Sequence, residues 1–289
     1  MSLPYDLLVV DLDGTLLDRD GQVSARNRRA IEQARAAGLE IIVATGRALV
    51  ESADPLRAID HRHLVVAAGG SLLCDAVSKA TLQRRVMPHD LVVDITDSLL
   101  GHEHKVLILK DAEATGYDYL AVGPGELDPA SAWWFEAMAS TVRFVSDLEQ
   151  DPHPHDTIRI GLVASGAELG PIARQLKSEI GDRAFLQHWP AVTSTHAIGA
   201  STHLLEVFNP DVNKWTMIVE YCASKGILPQ RVASIGDGLN DVELLRESGL
   251  GVAMANATEA VLKVADRITE DHQDDGVAQA IERILQGVW

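Results

Sequence analysis

The chain has no apolar run approaching the roughly 20 residues that are needed to span a bilayer. Its N-terminus also lacks a basic segment followed by an apolar stretch, the pattern of a secretory signal. There are only two cysteines, Cys74 and Cys222, and they lie too far apart for a metal-binding or redox motif. We therefore expect two free buried thiols in a reducing compartment, a cytoplasmic location and no membrane partner.

Positive charge is also scarce. The sequence has 25 Lys and Arg residues against 42 Asp and Glu residues, which gives a formal net charge of −17. A surface this acidic repels nucleic acid and anionic lipid, so we expect neither as a partner. An anionic substrate can bind only where a metal ion, a lysine or a helix N-terminus concentrates positive charge locally.

Hydrophobic residues make up 46% of the 289 positions, enough for a sizeable core. Both ends of the chain alternate strand and helix patterns. Buried strands are predicted at residues 7–10, 39–44, 64–68, 231–235 and 251–254, and helices between Ser24 and Gly38 and at residues 214–225, 241–247 and 275–285. Strands separated by helices indicate right-handed βαβ units and therefore a parallel sheet.

The middle of the chain is less regular. It has helix patterns at residues 91–100, 131–139 and 168–180, and strand patterns at residues 105–109, 157–163 and 185–189. This grouping is typical of an α+β domain. We predict an α/β fold in which a Rossmann-like parallel-sheet core, residues 1–85 and 209–289, is interrupted by an inserted α+β domain, residues 86–208.

Residues that can carry chemistry follow three of the predicted core strands, at the edge where open parallel sheets bind their ligands. They are Asp11, Asp13, Gly14 and Thr15, then Thr45, Gly46 and Arg47, and finally Gly236, Asp237, Gly238, Asn240 and Asp241. Lys214 stands at the start of the preceding helix. A carboxylate can form an aspartyl-phosphate, and oxygen-only ligands select Mg²⁺. The set therefore predicts phosphoryl transfer.

The spacing of the first two aspartates supports this interpretation. Alternate residues of an extended chain point the same way, so Asp11 and Asp13 can face one substrate. One can attack phosphorus while the other protonates the leaving alkoxide and later deprotonates water. Thr45 and the Gly46 amide can hydrogen-bond phosphate oxygens, and Lys214 adds a fixed positive charge.

The motifs resemble those of the haloacid dehalogenase-like hydrolases, and the long insert and the C-terminal tail are similar to those of the Cof-type phosphatase branch. The resembling segments are Asp11-Leu12-Asp13-Gly14-Thr15-Leu16, Thr45-Gly46-Arg47, Lys214, Gly236-Asp237-Gly238-Leu239-Asn240-Asp241 and the tail Gly251-Val252-Ala253-Met254-Ala255-Asn256-Ala257. The match covers the core at both ends of the chain. Over the insert it is positional.

The resemblance implies a role for each matched residue. Asp11 would be the nucleophile and a magnesium ligand, and Asp13 the acid/base, with its backbone carbonyl on the metal. Asp237 would be a third protein ligand, with Asp241 close behind it. The phosphate would be bound by Leu12, Thr45, Gly46, Lys214 and Asn240. The insert would be a mobile cap that selects the leaving group, and the substrate a small phosphorylated metabolite, bound by a monomer or homodimer.

Three other functions stay open on the sequence. A phosphomutase uses the same chemistry but returns the phosphoryl group to a substrate, so it releases little inorganic phosphate. A glycosyltransferase also uses an Asp-x-Asp pair, but it does not require Gly14-Thr15 or the motif from Gly236 to Asp241. A non-catalytic ligand-binding protein could share the fold, although the catalytic set is complete.

The histidines suggest a different kind of metal site, because several occur in closely spaced pairs. The pairs are His61/His63, His102/His104 and His153/His155. None has a carboxylate or cysteine at a recognised ligand spacing, so we expect surface histidines.

Overall fold

A computed structural model describes residues 3–190 and 202–289. The chain divides into two compact units, one formed by Met1–Gln83 with Asn213–Trp289 and the other by Arg84–Val212. The strands of the first unit are β1 (Leu7–Val10), β2 (Glu40–Ala44), β3 (Leu64–Ala67), β4 (Leu72–Asp75), β5 (Thr81–Arg84), β12 (Val232–Gly236), β13 (Leu250–Ala253) and β14 (Arg267–Ile268). Those of the second unit are β6 (Val106–Lys110), β7 (Tyr119–Val122), β8 (Val142–Val145), β9 (Thr157–Ser165), β10 (Phe185–Pro190) and β11 (Thr202–Phe208).

Helices alternate with the strands, as the sequence pattern predicts for the first unit. Its helices are α1 (Ala25–Ala36), α2 (Ala53–Ala58), α7 (Lys214–Lys225), α8 (Val242–Glu247), α9 (Glu259–Leu262) and α10 (Gly276–Leu285). The second unit has α3 (His89–Leu100), α4 (Ala112–Thr115), α5 (Pro129–Ala137) and α6 (Gly166–Ile180). In the part of the chain that the structure describes, no helix has the length and apolar character to cross a membrane.

The first unit is built on an eight-stranded sheet in the order β14-β13-β12-β1-β2-β3-β4-β5. Neighbouring strands from β14 to β3 run parallel, and β4 returns antiparallel beside β3. Every residue of β1 is fully buried, because Leu7 and Val9 contact the α7–α8 side while Leu8 and Val10 point to the other face. The α/β fold with a parallel-strand core is thus confirmed.

The second unit has a six-stranded sheet in the order β10-β11-β9-β6-β7-β8. Its strands pair antiparallel except for β7 and β8, which are parallel. Helices α3 and α6 cover one face and form an apolar core with alternate residues of the central strands, among them Ile108, Ile160 and Leu205. Ser165 caps α6 in a reciprocal pair with Glu168, which fixes where that helix begins.

One histidine departs from the surface position expected of it. His61 is buried beside α1, where Arg35 Nη2 lies 3.3 Å from its Nδ1 and the Leu64 carbonyl lies 2.9 Å from its Nε2. An arginine can only donate, so Nδ1 accepts and Nε2 carries the proton. Burial lowers the pKa of His61 to about 4, because the charged form loses its hydration. His63, two residues on, is exposed.

We predict that His61 makes the folded state sensitive to acid. The unfolded chain takes up a proton near the ordinary pKa of 6.5, whereas the folded chain does so only near 4. The contribution of neutral His61 to the free energy of unfolding is therefore complete above pH 6.5. It falls by about 3 kcal/mol as the pH drops to 4. Urea denaturation at a series of pH values measures it.

The comparison variant is His61→Gln, which cannot titrate. It should show a smaller fall in the free energy of unfolding between neutral and acid pH than the wild type does. An unchanged acid dependence in His61→Gln would contradict the burial argument.

Candidate active site

The parallel register brings two of the predicted loops together. Leu7 to Val10 of β1 pair with Val232 to Ile235 of β12, and the Asp11 N–H donates to the Ile235 carbonyl at 3.1 Å. Both strands therefore end at the same edge of the sheet. Asp11 follows one strand and Asp237 the other, as the sequence argument requires.

A buried lysine joins three segments at this edge. Lys214 Nζ lies 2.7 Å from Asp11 Oδ1 and 2.6 Å from Asp241 Oδ1, and its side chain is fully buried. Lys214 begins α7, and Asn213 caps that helix by accepting from the Thr216 N–H. A lysine in the first turn opposes the helix dipole, so the two carboxylates explain why it is there.

Asp241 and Asp237 are each held at both carboxylate oxygens. Asp241 Oδ2 accepts from the Asp237 and Gly238 N–H groups at 3.1 and 3.0 Å, so it fixes the loop and the lysine together. Asp237 accepts from Thr15 Oγ1 at 2.7 Å and from Asn256 Nδ2 at 3.4 Å. These bonds orient the Asp237 carboxylate before any ligand arrives.

Glycine is required beside this carboxylate. Gly14 has φ +72°, in the region that other residues rarely adopt, and a Cβ atom there would overlap Asp237. Asn256 also donates to the Gly14 carbonyl at 2.8 Å, and its own oxygen accepts from the His272 N–H at 3.1 Å. Asn256 therefore links the turn after β1 to Asp237.

The electrostatics of the site favour an added cation. Burial, with Asp241 next in importance, raises the pKa of Asp237 to about 7. Burial is also the main cause that raises the pKa of Asp11 well above its ordinary value, although Lys214 opposes it. Burial lowers the pKa of Lys214, but the charges of Asp11 and Asp241 together raise it by more, so the net shift is upward. One ammonium group thus contacts two of the three carboxylates, those of Asp11 and Asp241.

The donor set fits a hard divalent cation. Asp11, Asp237 and Asp241 offer carboxylate oxygens that all lie within 4.8 Å of one another. Among the described residues they are the only group of three or more possible histidine, cysteine or acidic ligands. Oxygen-only ligands suit Mg²⁺, Mn²⁺ or Ca²⁺ better than softer metals.

The predicted phosphate-binding residues lie in the loops after β1, β2 and β12 and at the start of α7. Thr45 is fully buried, and its Oγ1 accepts from the Arg47 N–H at 3.1 Å. A Cβ atom on Gly46 would stand 3.4 Å from Asn240 Nδ2, so these two residues are adjacent. The Leu12 side chain is fully buried in the turn that follows Asp11, which leaves only its main chain for a ligand.

Asp13 faces a different cation from Asp11. Arg47 donates to both of its carboxylate oxygens, from Nε to Oδ2 at 2.8 Å and from Nη2 to Oδ1 at 2.6 Å. Sequence reasoning placed Arg47 in a motif but gave it no role, and it gave none to Asn256 in the C-terminal tail. Their positions in those motifs are the only sequence signal for either residue.

A family model for haloacid dehalogenase-like hydrolases matches residues 8–281. The 5-amino-6-(5-phospho-D-ribitylamino)uracil phosphatase YcsE of Bacillus subtilis is 27% identical over 277 residues, covering 95% of this chain and 94% of its own. The pyridoxal phosphate phosphatase YbhA of Escherichia coli is 24% identical over 281 residues, which cover 95% of this chain and 97% of its own.

A crystal structure of a haloacid dehalogenase-like hydrolase from Bacteroides thetaiotaomicron superimposes with a TM-score of 0.76 at 26% identity, covering 97% of this chain and 99% of that one. The fold and the motif residues define a hydrolase with an acidic, lysine-containing site. The chain belongs to the haloacid dehalogenase-like hydrolase family, which confirms the family predicted from its motifs.

We predict that a divalent cation stabilises the first unit through Asp237. At saturating MgCl₂ the melting temperature of the wild type should rise by about 5 °C, because only the folded chain offers the assembled ligands. Asp237→Asn should lose this rise. Asn256→Ala should need about 10- to 100-fold more Mg²⁺ for the same rise, since it leaves the ligand less well oriented. Melting curves over a MgCl₂ titration measure both.

Asn209→Ala is the control, because Asn209 donates instead to the Val86 carbonyl. Its melting temperature can fall, but its response to MgCl₂ should match the wild type. A wild-type Mg²⁺ response in Asp237→Asn would contradict the assignment of Asp237 as a ligand.

Proposed function

We propose that this protein is a Mg²⁺-dependent phosphatase that hydrolyses small organic phosphate monoesters through an aspartyl-phosphate on Asp11. The observation that carries the proposal is the buried Asp11 carboxylate, which Lys214 contacts at 2.7 Å within a group of three oxygen ligands. A carboxylate with a fixed ammonium and a cation site beside it can receive a phosphoryl group that would otherwise be repelled.

In the first step an oxygen of Asp11 attacks phosphorus. The bond from phosphorus to the ester oxygen breaks, and its electron pair goes to that oxygen, which takes a proton from the carboxyl group of Asp13. The alcohol leaves and the phosphoryl group remains on Asp11. Lys214 binds Oδ1 of Asp11, so we assign the attack to Oδ2.

In the second step the Asp13 carboxylate takes a proton from water as the water oxygen attacks phosphorus. The bond to Asp11 then breaks, and inorganic phosphate leaves. Asp13 regains the proton that it gave to the alcohol, so the cycle is balanced. General acid–base catalysis of this kind contributes about 10²- to 10⁴-fold to the rate.

The other residues of the site bind the phosphoryl group and the metal. Lys214, the Thr45 hydroxyl, the main-chain N–H groups of Leu12 and Gly46, and Asn240 would contact phosphate oxygens. Asp11 and Asp237, with the Asp13 carbonyl, would hold Mg²⁺, and Asp241 would support them from behind. Bound there, Mg²⁺ would neutralise negative charge on the transferring group.

The names of the relatives support a proposal for the substrate class. YcsE is named for a phosphorylated ribitylaminouracil and YbhA for pyridoxal phosphate. We propose a small phosphorylated metabolite of the cytoplasm, such as a sugar phosphate, a nucleotide or a phosphorylated cofactor. The phosphoryl group is the part that such compounds share, and it is the part that the residues of the site would bind.

We predict that Asp11→Asn abolishes turnover, because an amide is a poor nucleophile toward phosphorus. Release of inorganic phosphate from 4-nitrophenyl phosphate with Mg²⁺ should fall by at least about 10³-fold. The matched control is Asp20→Asn, an exposed aspartate of the same N-terminal loop, which should retain full activity. Wild-type phosphate release by Asp11→Asn would refute the mechanism.

We also predict selectivity for monoesters. A panel of sugar phosphates, nucleoside monophosphates, pyridoxal phosphate and the ribitylaminouracil phosphate should yield free phosphate and alcohol, with the highest kcat/KM on one class. Bis(4-nitrophenyl) phosphate should not react, since a diester replaces an oxygen that Lys214, Thr45 or Asn240 would bind. Isomerised product without free phosphate would instead identify a mutase.

A further inference from the structure

The Arg47–Asp13 pair has the geometry of two parallel hydrogen bonds. Both nitrogens that face Asp13 lie within 2.8 Å of a different carboxylate oxygen, so the two planar groups meet edge to edge. Such a pair fixes the rotation of a carboxylate as well as its position, which a single ammonium group does not do. Among the site aspartates of the described residues, Asp13 is the one held in this way.

Arg47 is itself held in place by the loop that follows it. Its Nη1 donates to the Glu51 carbonyl at 3.1 Å, and the Glu51 carboxylate accepts from the Ala48 N–H at 2.7 Å. The Arg47 side chain is 11% exposed, whereas that of Asp13 is 32% exposed. The guanidinium is therefore the fixed partner, and Asp13 keeps an accessible side that faces away from it.

We propose that Arg47 is a positioning residue that orients the Asp13 carboxyl group for proton transfer. The inference rests on the proposed function. A guanidinium carries only donors, so the carboxylate lone pairs that face Arg47 cannot hold a proton. A proton on Asp13 must then lie on the accessible side, where a leaving oxygen or a water molecule can reach it. Arg47 thus selects the side of Asp13 that donates and accepts.

This role makes the effect of Arg47 depend on the leaving group. The value of kcat/KM covers substrate binding and the first chemical step, in which the alcohol departs, but not the hydrolysis of the aspartyl-phosphate. An alkoxide needs the proton of Asp13, whereas 4-nitrophenolate leaves without one. In Arg47→Lys, kcat/KM for benzyl phosphate should fall about 10- to 100-fold, and that for 4-nitrophenyl phosphate by less than about threefold. Lysine keeps the positive charge but cannot form the two parallel hydrogen bonds.

A double-mutant cycle separates this role from direct substrate binding. If Arg47 acts through Asp13, Arg47→Lys should change kcat/KM for benzyl phosphate little once Asp13 is alanine. If Arg47 binds the substrate itself, the loss should be the same in both backgrounds, and this result would overturn the proposal. Equal losses for both substrates in the single variant would overturn it too.

Arg26→Lys is the matched control, because Arg26 pairs with Glu282 through Nε and Nη2 in the same unit. It should leave both kcat/KM values unchanged. Melting temperatures check folding, and Arg47→Gln provides a second test if Arg47→Lys is unstable. Failure of the proposed function appears differently, as a wild-type protein that releases no phosphate from either ester.

Discussion

The buried ammonium of Lys214, shared between Asp11 and Asp241, is the interaction on which the site depends. It joins the end of β1, the start of α7 and the loop after β12, segments that lie far apart in the sequence. Removal of one partner from a buried ion pair typically costs about 3–5 kcal/mol, because it leaves an uncompensated charge. Lys214 therefore stabilises the folded site and also supplies it with positive charge.

The same arrangement leaves an excess of negative charge, which favours a bound cation and so suits phosphoryl transfer. Asp237 adds a third, half-buried carboxylate beside the two that contact Lys214, and the pKa of Asp237 rises to about 7 because of burial and repulsion from Asp241. A divalent cation relieves that repulsion and gives the site the positive charge that a phosphate requires. A chain with a net charge of −17 can thus bind an anion, because the local charge is set by ligands and not by the surface.

The core and the acidic cluster could be predicted from the sequence because they depend on local patterns. Apolar runs and caps such as Ser24 mark the elements, and parallel strands bring their carboxyl ends together. The sequence analysis did not predict six of the described strands, β4, β5, β7, β8, β11 and β14. Of these, β5 and β8 are partly exposed and carry polar residues, so they lack the apolar pattern of a buried strand. The burial of His61 and the Arg47–Asp13 pair depend on contacts between residues 26 and 34 positions apart, which no local pattern encodes.

The two aspartates of the first motif are matched to cations of different shape. In the proposed mechanism Asp11 must keep one oxygen for attack, and the ammonium of Lys214 binds only Oδ1. Asp13 must instead present a proton in a fixed direction, and the two parallel hydrogen bonds from Arg47 hold both of its oxygens. Exchanging the two cations would prevent both roles. A guanidinium beside Asp11 would occupy both oxygens of the nucleophile, and an ammonium beside Asp13 would leave the acid free to rotate. The division of labour within Asp11-Leu12-Asp13 is therefore set by residues outside that motif.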